Sequence, residues 1–437
     1  MKKVLMYLMI LLLGCVPYLP AKSLDLNAYL DIVRQHNKDL QLAEKDRKLA
    51  DIQKKQAMAS ALPAVAAEAG YTRNITDYYM YFDATAFMPD AGGVIKAPIK
   101  RDNEYSATLA LQQTLFSPNV ISAIRAAGEY QKLSDYVYEA SEQAIITGAK
   151  ELFYQCLLLD IVTQVSDSAQ ANAKENYQII KLRYDNGQAS ELELLQAETR
   201  WRGTIPNTEQ AMRNYKLAMN TLKNLAGIDV NETIELDGDL KVVPAMPEQP
   251  QVSSVFQRRP DLNALQWEAK LRKTNVNAAK GAFLPTLTGQ VAYAYTSQSN
   301  RWALDEENKL LFAGINLSFP IFTGGYRLAK IQQAQVELEQ SRLRIEQKQE
   351  SIDNELSNVY LRLQEANQRI LSAKTTWQTA EKAFHITETT TKSGLTTQLE
   401  LKDARLMYDQ AKLGYYSAVF DYLTAYYDWE KATGQVN

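Results

Sequence analysis

Cysteine and histidine are nearly missing from this chain, with two of each in 437 residues. Cys15 falls in a leader-like stretch, which leaves Cys156 without a disulfide partner. Its place in an apolar helical row makes it small core filler. His36 and His385 lie in different helices with no acid or cysteine at ligand spacing, so no metal site is expected. An excess of one charge is missing too. With 48 Lys and Arg against 51 Asp and Glu the net charge is −3, no basic tract stands out, and nucleic acid is not an expected partner. After the first residues no apolar run is long enough to cross a bilayer as a helix. Phosphate loops, nucleophile elbows and dinucleotide fingerprints are absent, so neither enzyme chemistry nor a cofactor is indicated.

Proline and paired glycine are also absent from two long stretches, Val120–Asn186 and Tyr326–Ser393. Each holds about 67 residues of helical pattern, which at ~1.5 Å per residue is ~100 Å of helix. In the second, Ile331, Leu338, Ile345, Ile352, Val359, Ala366, Ala373 and Ala380 recur seven apart. A companion row holds Leu356, Leu363, Ile370, Trp377 and Phe384. That is a coiled-coil seam. The first stretch repeats it as Ile124, Tyr138, Ile145, Leu152, Leu159, Ala173 and Ile180, and Cys156 matches Leu363.

The start reads as a secretory signal. Lys2 and Lys3 precede an apolar core, Val4–Val16, and Ala21-Lys22-Ser23 offers a cleavage site with Leu24 as the mature start. A competing lipobox, Leu12-Leu13-Gly14-Cys15, would lipidate Cys15 instead.

Beyond the leader the chain reads twice as helix, strand, strand, long helix, helix. Leu24–Ala61 is helical and ends at Leu62-Pro63. Ala64–Ile75 reads as a strand, followed by a polar connection with Tyr78, Tyr79 and Tyr81. Tyr105–Phe116 alternates strictly: Tyr105, Ala107, Leu109, Leu111 and Leu115 against Ser106, Thr108, Ala110, Gln112 and Thr114. Residues 228–260 form a proline-rich connector with one strand near Thr233–Leu236. The second half then gives a helix at Asp261–Phe283, strands at Thr286–Thr296 and Ala313–Ile321, the second long helix, and a last helix from Thr397 to about Thr433. Gly187, Leu192, Glu193, Leu194, Ala197 and Gly227 match Gly394, Leu399, Glu400, Leu401, Ala404 and Gly434 at an offset of 207 residues. The expected division is a signal peptide 1–23, a first repeat 24–227, a connector 228–260 and a second repeat 261–437.

Four strands with one apolar and one small-polar face, flanked by long helices, have no partner sheet in the sequence. They suit tilted membrane strands, with one face to lipid and one to water. Lipid tolerates no open sheet edge, and the smallest barrel has about eight strands. The chain must therefore oligomerise. Tyr71, Tyr105, Tyr293 and Tyr295 fit as interfacial anchors.

The repeat order, the Leu-Pro before each strand pair, Gln257-Arg258-Arg259-Pro260-Asp261-Leu262 opening the second half, and the turns at Gly187 and Gly394 together resemble the TolC-like outer-membrane efflux channels. The resemblance spans Leu24 to Asn437. It implies a mostly α fold with a membrane β-barrel contribution: a homotrimer whose twelve-stranded barrel lies in outer-membrane lipid and continues as a twelve-helix coiled-coil tunnel in the periplasm. It also implies a periplasmic adaptor and an inner-membrane pump as partners, and export of small molecules such as drugs and toxic compounds. Type I protein secretion is the alternative cargo class, and a periplasmic coiled-coil scaffold the alternative architecture.

The same resemblance makes Gly187, Gly394, Leu395, Thr396 and Thr397 adaptor-docking tips, and makes Glu400 and Asp403, with Glu193 of the first repeat, an acidic ring at the periplasmic entrance. Crowded carboxylates in such a ring are expected to raise one another's pKa. In the family the position of Glu193 is latched by a tyrosine and an arginine. Here those positions are Thr391 and Thr396, so that latch is not expected, and Lys402 or Arg405 is the candidate substitute.

Overall fold

The computed structural model describes residues 22–83, 93–393 and 395–436. The leader through residue 21, with Cys15, lies outside the described residues, and so does Gly394. Two compact units form, each from separated pieces of chain.

One unit gathers Arg47–Asp135 and Ala264–Ile345. Its centre is an antiparallel four-stranded sheet of β2 (Ala64–Arg73), β5 (Asn103–Phe116), β7 (Thr286–Ser299) and β8 (Glu306–Ser318), in the order β2-β5-β7-β8. The two halves of the chain meet at β5–β7, where Leu109 faces Tyr293 and Gln112 faces Gln290. Opposed residues share a face, so the alternation read in each strand merges into continuous rows. One row is Ala67, Leu109, Tyr293 and Leu311. This apolar face is bare: Leu311, Ile315 and Leu317 are each more than 60% exposed. At one end of the sheet Tyr71, Tyr105 and Trp302 pack ring on ring, with centroids 5.0–6.1 Å apart.

Two expectations change here. The fourth strand begins at Glu306, not Ala313, and puts Leu310 and Phe312 on the otherwise small-polar face. The connection read as polar contains a hairpin, β3 (Tyr79–Asp83) against β4 (Val94–Pro98). Its strands are mostly exposed, so no burial pattern marked them in the sequence.

The other unit gathers residues 1–46, 136–263 and 346–437. Helix α1 (Leu26–His36) inserts Tyr29, Leu30 and Val33 against Ile146, Phe153 and Cys156 of the long helix α3 (Pro118–Asp185) and against Met219 and Leu222 of α4 (Glu191–Ala226). Strand β1 (Lys22–Leu24) pairs in parallel with β6 (Ile234–Leu236), so the cleavage expected after Ser23 would remove two of its three residues. The first helix breaks at Asn37, which separates α1 from α2 (Lys38–Ala59). Asn37 leaves helical geometry because its side chain bonds elsewhere, donating to Leu225 O at 2.8 Å and accepting from Leu40 N at 2.9 Å. The connector holds β6 as expected and also α5 (Val252–Arg258).

Helix α6 (Pro260–Gly281) opens the second half, whose hairpin is α7 (Tyr326–Lys392) and α8 (Gln398–Thr433). The second seam holds as read: Ile352, Leu356, Val359, Leu363, Ala366 and Ile370 are all buried. In the first, one row is displaced by one residue, from Ile145 and Leu152 to Ile146 and Phe153, while Ala149 and Cys156, the matches of Leu356 and Leu363, stay in place. Its fully buried positions are Ile146, Ala149, Phe153 and Cys156, because α1 and α4 cover that side. Arg259 clamps this region, donating to Asp261, to Glu355 at 2.7 Å and to Ala432 O at 3.1 Å.

Candidate functional site

Each helical hairpin closes in a tip, and the two tips are built alike. Asn186 and Gly187 end α3, with Gly187 in the left-handed region at φ 69°. Gln188 N donates to Arg183 O at 2.7 Å and Gly187 N to Tyr184 O at 2.9 Å, the Schellman closure. At the second tip Leu395 N donates to Thr390 O at 2.9 Å, the equivalent long bond.

The next helix starts on a capping box at both tips. Glu193 N donates to Ser190 Oγ at 3.2 Å, and Ser190 N donates back to Glu193 Oε2 at 2.8 Å. Glu400 N donates to Thr397 Oγ1 at 3.2 Å, and Thr397 N to Glu400 Oε2 at 2.7 Å. Two of the three acids singled out in the sequence are thus helix-cap residues. The Ser190 backbone hydrogen bond, aided by its hydroxyl and by Arg183, holds the Glu193 carboxyl below its ordinary range. That is opposite to the rise expected for crowded carboxylates, since within one chain Glu193 meets donors.

Glu400 and Asp403 share one groove of about 940 Å³ between α7 and α8, floored by small residues such as Ala380, Ala383 and Ala404. Leu395, at the tip, is 78% exposed. Thr391 and Thr396, where the family's latch residues are missing, bond each other: their hydroxyl oxygens are 2.7 Å apart, with Thr390 Oγ1 3.1 Å from Thr396 Oγ1. Neither substitute partner reaches Glu193. Arg405 donates to Asp409 at 3.1–3.2 Å and lies over the Phe384 ring. Lys402 is pushed down by burial and by Arg200.

His385 has an acid nearer than its sequence suggested, with Nδ1 3.8 Å from Glu388. Cys156 sits in the core as read, and burial pushes its thiol up to about 12. Among the described residues no helix is long and apolar enough to cross a membrane.

A family model described as outer membrane efflux protein matches residues 29–228 and 252–435. The chain belongs to the outer membrane efflux protein family. This efflux-family chain is 27% identical over 246 residues to the toluene efflux pump outer membrane protein TtgC of Pseudomonas putida, covering 54% of this chain and 49% of that one. It is 23% identical over 249 residues to the alkaline protease secretion protein AprF of Pseudomonas aeruginosa, covering 55% of this chain and 51% of that one. The chain spans about half the length of these curated relatives. The fold is that of solved outer membrane proteins. The Campylobacter jejuni CmeC channel superposes with a TM-score of 0.78 at 20% identity, over 94% of this chain and 85% of that one. The Vibrio cholerae protein VceC gives 0.72 at 18% identity, over 94% and 96%.

Proposed function

We propose that this outer membrane efflux protein is the outer-membrane channel of a tripartite export system. It receives small molecules such as drugs and toxic compounds from a periplasmic adaptor and an inner-membrane pump and releases them outside. The observation that carries this reading is the sheet with one bare apolar face and two open edges, β2 and β8. A soluble protein gains nothing from that surface, whereas a bilayer solvates the apolar rows and forbids the open edges. Three copies joined edge to edge make a closed twelve-stranded barrel, with the Tyr71, Tyr105 and Trp302 cluster at a membrane interface. The chain acts as a conduit and not as an enzyme, because the pump supplies the energy.

Each chain's Glu400 and Asp403 line the periplasmic entrance, with Glu193 beside them. Carboxylates from three chains make that entrance narrow and cation-favouring. The tips at Gly187, Gly394, Leu395, Thr396 and Thr397 receive the adaptor. A second cargo class, protein secreted by a type I system, is favoured by the secretion role in AprF's name. The pump selects between them, since a tunnel wall reads little of its cargo.

Fractionation tests the architecture. Trimers extracted only by detergent, and shifting to monomers on heating, are expected. A protein released from membranes by salt alone would mark a periplasmic coiled-coil scaffold instead.

A further inference from the structure

The four-stranded sheet and the helices that leave it meet at a cavity of about 340 Å³, where α3 and α7 begin and α6 ends. Asn119, Asn275, Tyr326, Arg327, Lys330 and Gln333 supply its polar wall. Arg327 is 7% exposed. Its guanidinium donates to Pro320 O at 2.7 Å, to Thr323 Oγ1 at 3.0 Å and to Ala282 O at 3.1 Å, and lies over the Phe283 ring. All of these partners are neutral. Nη1 and Nη2 each carry a second N–H beyond these bonds. Lys330 donates to Gln333 Oε1 at 3.1 Å, another neutral group. The acid on the wall, Glu337, already accepts from Arg272 at 3.1 Å and from Gln333 at 3.0 Å.

Among the described residues neither Arg327 nor Lys330 meets a carboxylate, so the cavity is cationic. A buried charge held only by neutral groups carries a desolvation cost that an opposite charge offsets. The helix starts act in the same direction. Asn119 and Arg327 are the second residues of α3 and α7. Backbone N–H groups and the helix dipole favour an anion at such a first turn. Gly325, just before α7, has no side chain to cap it. A guanidinium fork beside an ammonium suits phosphate.

The surroundings of the cavity are apolar. The row Phe116, Leu287 and Leu317 ends the bare face of the sheet on the side of the helices. Beyond it Phe319, Ile321, Phe322 and Tyr326 are all more than half exposed. Tyr326 also lines the cavity, with Lys330 Nζ 5.7 Å from its ring centroid. On the bare face itself Gly289 leaves a groove of about 590 Å³ among Leu111, Leu115 and Ile315. Gly289 is three residues past Thr286, the start of β7, which at ~3.3 Å per residue is ~10 Å from the helix-joined end. A cationic cavity at the end of a grooved apolar face matches the two halves of a phospholipid, and basic pockets between helices at a membrane surface take lipid headgroups.

We propose that this cavity binds the phosphate headgroup of an anionic glycerophospholipid from the leaflet nearer the helices, with an acyl chain along the groove at Gly289. Arg327 and Lys330 hold the phosphate. Asn119, Asn275 and Tyr326 offer hydrogen bonds to the rest of the head. This rests on the membrane placement of the sheet proposed above and adds a lipid site to it. One site per chain gives three lipids per trimer.

Native mass spectrometry tests it on full-length trimers, extracted and stripped of lipid in a neutral detergent. Added phosphatidylglycerol is expected to bind up to three per trimer, and phosphatidylcholine, whose head is neutral overall, more weakly. Lys330 and Asn119 are exposed, so their variants spare the fold. Lys330→Gln is expected to weaken phosphatidylglycerol about fivefold, the share of one cation beside an anionic lipid surface. Asn119→Leu is expected to weaken it too. Arg301→Gln removes an exposed cation at the far end of the sheet and is expected to change nothing. Equal binding of the two lipids, or no change in Lys330→Gln, would overturn the site. Inorganic phosphate that displaces the lipid at equal concentration would overturn the lipid and assign the cavity to soluble phosphates. Conducting trimers that bind no lipid would remove this site and leave the channel standing. A protein released from membranes by salt alone would remove the membrane placement, and this site with it.

Discussion

Glu193 and Glu400 combine two roles in one carboxylate. Each closes a capping box on its own helix, and each is proposed above to stand at the periplasmic entrance. The roles separate chemically, because glutamine can cap but carries no charge. Glu400→Gln is therefore expected to leave the first turn of α8 protected in hydrogen exchange, whereas Glu400→Ala frays it. Equal protection in both would remove the cap. Cys156 gives a second test at this scale. Its thiol is pushed up to about 12 by burial, while an unfolded cysteine ionises near 8.5. The folded state thus holds the proton more tightly. Its contribution to stability is complete below about pH 8.5 and is lost as pH rises toward 12. Native protein is expected to resist a thiolate-specific reagent at pH 9 and to react once denatured. Rapid labelling of the native protein would show that the thiol is open to solvent.

At the scale of elements, the connections between helices carry more energy than their length suggests. Asn37 is buried and satisfies two backbone groups at the break between α1 and α2. Asn37→Ala strands Leu225 O and Leu40 N and is expected to cost about 1–3 kcal/mol, read by denaturant unfolding. Arg259 is 5% exposed and joins Asp261, Glu355 and the Ala432 carbonyl. Burial alone would raise the Asp261 carboxyl, but Arg259 and Lys348 outweigh it and hold it far below the usual range. Its stabilisation is therefore present above about pH 4, the ordinary value, and is lost only in strong acid. Arg259→Met leaves the half-buried Glu355 carboxylate and the Ala432 carbonyl without this partner and Asp261 with Lys348 alone, and is expected to cost about 1–3 kcal/mol. A cost under about 1 kcal/mol, the range of an exposed pair, would show that the cluster is solvated. The seam of α7 was legible because burial there follows the heptad, from Ile352 to Ile370. The break at Asn37 was not. The apolar periodicity runs through it, and its cause is a carbonyl 188 residues away. The β3–β4 hairpin escaped notice for a related reason: exposed strands need no alternation.

For the whole molecule, duplication was the most legible feature, since matched turns at Gly187 and Gly394 need no structure to be seen. The meeting of the two halves at β5–β7 was less so, because strand partners far apart in sequence leave no local mark. The entrance acids were named through family resemblance, and composition alone would have left them as a solvated helix face. The capping boxes explain why Glu193 and Glu400 recur, and Asp403 has no counterpart in the first repeat, where Gln196 stands. The proposed ring would thus be a property of three second hairpins brought together. Its most direct test is single-channel conductance in planar lipid bilayers, with wild type beside Glu400→Gln/Asp403→Asn, which removes the charges and keeps the cap. The expected result is discrete, cation-preferring channels in the wild type, and larger, less selective steps in the variant. Folded trimers that pass no current in either form would contradict the channel.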